Sequence, residues 1–134
     1  MAAATRKPVI AAQLYTLRDF MKTPDEMAKT LARVRQIGYD AAQISGVGPI
    51  TPAELRRLML EAGVEPVAAH VGLDAFRADV GKVAADCQAW GVSYVAIPGF
   101  SRKGLDTLAD WKRLFKEFEG FARILRKAGI TLQY

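Results

Sequence analysis

One cysteine and one histidine stand in a chain of 134 residues. With Cys87 alone, an intramolecular disulfide is excluded and a reducing compartment is the natural fit. With His70 alone, no cluster of imidazoles can hold a metal ion. No apolar run reaches the roughly 18 residues that a membrane-spanning helix needs. The start, Met1 to Lys7, is short and polar apart from an alanine triplet, and it lacks the long apolar core of a signal peptide. A cytoplasmic protein with no membrane partner is expected. No low-complexity linker interrupts the chain, so residues 1–134 are expected to form one domain. Charge of one sign is in modest excess, +5. The cations are scattered on helix faces beside acids, which reads as a solvated surface and not as a nucleic-acid interface.

What is present in quantity is apolar: hydrophobic residues make up 51%, enough for a real core. They come in a repeating unit of amphipathic helix, glycine and short strand. Gly38, Gly63, Gly91 and Gly129 each end a helical pattern, where the left-handed conformation suits a residue without Cβ. A nearly continuous small or apolar run follows each, as expected of a strand covered on both faces. With an opening strand, the five strands fall at about 9–15, 39–45, 64–70, 92–98 and 130–134. Two helices carry explicit starts, Thr23-Pro24-Asp25-Glu26 and Thr51-Pro52-Ala53-Glu54, both read as capping boxes with proline in the first turn. The first runs to about Ile37 and should bury Met27, Leu31 and Val34; the second runs to about Ala62 and should bury Leu55, Leu58 and Met59. A third helix from about Asp74 should bury Val80, Val83, Ala84 and Cys87. A fourth, from about Thr107, carries Trp111, Phe115, Phe118, Ala122 and Leu125 as its core stripe.

The order βαβαβαβαβ implies a parallel sheet with right-handed crossovers. A dinucleotide-binding sheet would want a glycine-rich turn after the first strand. The turn here is Tyr15-Thr16-Leu17-Arg18-Asp19-Phe20, with no glycine. The expected fold is therefore α/β, a parallel (βα)₄β half of a (β/α)₈ barrel. Seven residues beyond the repeat glycines lie Ser45, His70 and Pro98, equivalent positions at strand C-terminal ends, where barrel enzymes do their chemistry. The fourth copy ends at Tyr134, short of that position. Gln13 and Gln43 sit within strands at similar depth, either lining the pocket floor or forming a satisfied interior pair. Tyr15 could stack on a ligand or close a core edge, and Ser45 could supply a hydroxyl. The loop Gly99-Phe100-Ser101-Arg102-Lys103-Gly104 is framed by glycines; its cations, Arg102 first, could meet a phosphate or simply be solvated. Cys87 belongs to a buried helical stripe and reads as core.

Several stretches resemble the sugar phosphate isomerase/epimerases of the xylose-isomerase-like barrel superfamily. They are Gln13-Leu14-Tyr15-Thr16-Leu17-Arg18-Asp19, Ile37-Gly38-Tyr39-Asp40 with Gln43-Ile44-Ser45-Gly46, Ala68-Ala69-His70-Val71-Gly72-Leu73, Tyr94-Val95-Ala96-Ile97-Pro98-Gly99, and Ala128-Gly129-Ile130-Thr131-Leu132-Gln133-Tyr134. In order, they span nearly the whole chain and correspond to an N-terminal half. The resemblance implies a sugar or sugar phosphate substrate, with chemistry at a carbon beside the sugar carbonyl. It also implies a divalent metal (Mn, Mg, Zn or Co) in a complete barrel, its ligands on strands five to eight. No metal ligand is assigned to this chain, and none is expected for it alone. His70 is the one candidate catalytic residue; Gln13, Tyr15, Gln43, Ser45, His70 and Arg102 are the candidate substrate contacts. The chain alone is expected to be inactive. A second reading is a non-catalytic half-barrel that self-associates through exposed sheet edges into a homo-oligomer. A third, a zinc-dependent DNA-repair endonuclease of the same superfamily, fits less well: Pro98 holds the fourth rim position and no second histidine exists.

Overall fold

A computed structural model describes residues 8–134; the polar start, Met1 to Lys7, lies outside them. Each threonine expected to start a helix does so. Thr23 caps α1 (Pro24–Ile37) with a full capping box, in which its hydroxyl accepts from Glu26 N–H and the Glu26 carboxylate accepts from Thr23 N–H. Thr51 caps α2 (Pro52–Glu61), but only its own half of the box forms, the Glu54 N–H donating to Thr51 Oγ1. Thr107 opens α4 (Leu108–Lys127) with a box closed by Asp110. The four repeat glycines all have left-handed φ, between +74° and +116°, which is why each helix can turn directly into the next strand.

Those strands are shorter than the apolar runs: β1 Ala11–Gln13, β2 Ala41–Ile44, β3 Glu65–His70, β4 Tyr94–Ala96 and β5 Thr131–Gln133. The largest departure is at the first. Leu14–Phe20, Tyr15 included, is a 3₁₀ helix and not the end of a strand. Helix α3 (Leu73–Trp90) begins within a residue of the expected start but breaks at Asp79 (φ −163°, ψ 94°). There the Asp79 carboxylate accepts from Lys82 N–H, capping the second segment. The break takes Val80 off the buried row; Leu73 and Phe76 carry the core before it. In α4 the core row is Leu114, Phe118 and Leu125, whereas Phe115 is 46% exposed.

All pairings are parallel, in the unbroken order β1-β2-β3-β4-β5. A doubly wound sheet reverses direction and so places helices on both faces. Without a reversal, right-handed crossovers place every helix on one face, and α1 packs on α2, α2 on α3 and α3 on α4. Ile44, Ala69, Val95 and Leu132 form one register row beneath those helices. The alternate residues Gln13, Gln43, Ala68, His70, Tyr94, Ala96, Thr131 and Gln133 fall on the opposite face, partly or fully exposed. This is the wall of a (β/α)₈ barrel over half its circumference, with the inner face open.

Candidate functional site

The C-terminal ends of the first four strands converge on one cavity of about 600 Å³, lined by Gln13, Tyr15, Ser45, Gly46, His70, Gly72, Pro98 and Gly99. All three positions marked by the glycine repeat, Ser45, His70 and Pro98, are among them. Ser45 is nearly buried, and its Oγ accepts from the Tyr15 N–H at 3.2 Å. That bond ties the start of the 3₁₀ helix to the end of β2, and Tyr15 lines the cavity from there. The ring passes so close to Gly46 that a Cβ there would lie 2.8 Å from Tyr15 Cδ2. Arg18 also holds it, its guanidinium 4.5 Å from the ring centre and donating to Tyr15 O.

Gln13 and Gln43 occupy paired positions of β1 and β2, and their amides meet at 3.0 Å, Gln13 donating. Gln13 lines the cavity, whereas Gln43 reaches it only through Gln13. Partial burial holds the His70 pKa below its ordinary value, which favours the neutral ring. Gln133 shares the His70–Ala96 register row, and Tyr94 and Thr131 pair one layer deeper. The sequence reading did not single out these three; the alternation Thr131-Leu132-Gln133 is the signal that marks two of them.

Arg102 lies outside this cavity, exposed on its loop. The same loop places Ser101 and Lys103 in an adjoining cavity of about 360 Å³, which also holds Asp74 and Arg77 and shares Gly72 and Gly99 with the first. Arg77 is already engaged there in a two-fold contact with Glu117, at 2.8 and 2.9 Å. Cys87 is fully buried and its thiol is pushed up to about 11, which removes it from chemistry.

Among the described residues, no three His, Cys, Asp or Glu side chains come together. The main cavity offers one imidazole among neutral amides and hydroxyls and no carboxylate. That donor set does not fit a divalent ion by itself. Among the described residues no helix is long and apolar enough to cross a membrane.

No protein-family model matches the sequence, and no curated protein matches it. Solved structures do. A sugar phosphate isomerase/epimerase from Parabacteroides distasonis ATCC 8503 is similar with TM-score 0.78 and 20% identity, over 98% of this chain and 52% of that one. An AP endonuclease, family 2, from Brucella melitensis follows at TM-score 0.65 and 15% identity, over 94% and 54%. The IolI protein, in a crystal structure with a bound zinc atom, has TM-score 0.61 and 11% identity, over 93% and 50%. The chain thus spans about half the length of these barrels, and what it shares with them is the fold.

Proposed function

We propose that this chain forms one half of a (β/α)₈ barrel enzyme that isomerises or epimerises a sugar or sugar phosphate at a carbon beside its carbonyl. The observation that carries this reading is the convergence of Gln13, Tyr15, Ser45 and His70 on one cavity at the strand C-terminal ends, the catalytic rim of barrel enzymes. The cavity lining is uncharged and rich in hydrogen-bonding groups, which suits hydroxyls. Ser45 Oγ uses a lone pair on Tyr15 N–H and keeps its own proton to donate. Gln13 spends one amide proton on Gln43 and keeps its carbonyl and second N–H. Neutral His70 accepts from a hydroxyl, or takes the proton from the carbon beside the carbonyl.

Removing that proton leaves an enolate beside a protonated His70, and the cavity has no fixed positive counterpart to stabilise it. In this reading the counterpart, a divalent ion with its carboxylate ligands, belongs to the complementing half of the barrel. The zinc bound in IolI supports an ion in complete barrels of this fold. The test uses the single histidine as a reporter. Millimolar ketopentose or ketohexose should shift the His70 imidazole resonances saturably, together with the Gly46 and Gly72 amides, and Tyr15→Ala should abolish the effect. Shifts confined to other surfaces, or none, would remove the sugar reading and leave the fold untouched.

A further inference from the structure

We propose that the substrate has two sugar rings: a keto-sugar in the main cavity, joined to a second, uncharged ring seated in the adjoining cavity between α3 and the loop after β4. The inference rests on the sugar reading of the main cavity and deepens it. The walls of the second cavity are the start of α3, the loop after β4 and α4, and its volume is about 360 Å³, within the roughly 300–1,000 Å³ of small-ligand sites. Gly72 and Gly99 border both cavities. Neither has a positive φ, so the backbone conformation does not call for glycine there. A Cβ at either would meet no protein atom within 4 Å, so packing does not call for glycine either. What side chains at 72 and 99 would fill is the passage between the two cavities. Two bare positions on that passage leave room for a linkage to cross.

Charge decides the nature of the second ring. The lining holds one carboxylate, Asp74, and one ammonium, Lys103, and neither enters an ion pair among the described residues. The remaining charge, Arg77, is balanced by Glu117. That contact spends two of its N–H groups and leaves the others free to donate. A phosphate ester carries about two negative charges at neutral pH. It would meet one free cation and one free carboxylate, which do little to offset its desolvation. Sugar hydroxyls, by contrast, both donate and accept. A carboxylate accepts from them, and ammonium and guanidinium donate to them, in bonds stronger than neutral ones. Ser101 Oγ accepts from Lys103 N–H and keeps its own proton to donate. Phe100 and Leu105 supply an apolar surface for the C–H face of a ring.

The experiment titrates the ¹⁵N-labelled chain with fructose, fructose 6-phosphate and three ketose disaccharides of different linkage, turanose, lactulose and isomaltulose. Fructose should shift the His70 ring and the Gly46 and Gly72 amides. At least one disaccharide should bind about tenfold more tightly and also shift the amides of Asp74, Ser101, Lys103 and Leu105. Fructose 6-phosphate should leave those four unmoved. Asp74→Ala and Lys103→Met should each remove the gain of the disaccharide and leave fructose binding as it was. Gly99→Val, on the passage, should weaken the disaccharide more than fructose. Fructose bound as expected with no disaccharide reaching the second cavity would overturn the inference and leave the sugar reading standing. So would a second cavity that takes fructose 6-phosphate in preference, which would make it a phosphate subsite. No response of His70 to any of the five sugars would overturn both.

Discussion

His70 is the only histidine of the chain, so its imidazole gives a single pair of resonances in a pH titration. Burial lowers its pKa from 6.5, and the midpoint should fall below that value. A group of this kind binds protons more readily in the unfolded chain than in the folded one. Stability should therefore be unaffected above the unfolded pKa and decline as pH falls through 6.5 toward the folded value. His70→Gln should flatten that part of the stability curve; an unchanged slope would assign the acid sensitivity to other groups. Cys87 supplies a second reporter. With a buried thiol pushed up to about 11, it should resist a thiol reagent at mildly alkaline pH and react fully once urea opens the chain. Prompt modification of the folded protein would mean that the α3 core is looser than its packing indicates.

Between elements, the loop after β2 makes a close backbone approach. Gly48 N–H donates to Met21 O at 2.7 Å, and a Cβ on Gly48 would lie 2.4 Å from Lys22 O. Gly48→Ala should cost about 1–3 kcal/mol, the usual penalty for overpacking, read as a lower urea midpoint. Thr107→Ala should cost about 1 kcal/mol through loss of the α4 cap. The sequence could announce the capped starts and glycine stops because those signals are local. It could not announce the 3₁₀ helix, since Tyr15 and Thr16 favour a strand by propensity. Ser45, thirty residues away, accepts the Tyr15 N–H there, a contact that no local pattern announces. The α3 break was hidden for a similar reason: Asp79 takes a capping role inside an otherwise continuous helical pattern. In α4 the aromatic row was more conspicuous than the true core row through Leu114. The rim positions Ser45, His70 and Pro98 were legible because strand and glycine keep a fixed spacing, whereas the direction of Arg102 depends on a loop that has none.

Across the whole molecule, one layer of helices covers one face of the sheet and leaves the other to water. The uncovered face can stand in water because Gln13, Gln43, His70, Thr131 and Gln133 supply polar groups there, with Ala68 and Ala96 adding little apolar surface. The sheet margins are less well provided for. β1 and β5 are three residues each and, among the described residues, pair on one side only, so half of their potential ladder bonds meet no strand there. β2 and β3 are paired on both sides and sit beneath the fully buried Met27, Leu31, Leu55 and Met59. Opening the margins should therefore require much less free energy than opening the centre. Amide hydrogen exchange should be slowest at Ala42, Ile44, Ala69 and Val95 and fastest along β1 and β5. Any strand added at either margin should slow exchange there and leave the centre as it was. Uniform protection across all five strands in the chain alone would mean that the margins are already covered in solution, and the open half-barrel would be the wrong description of the free molecule.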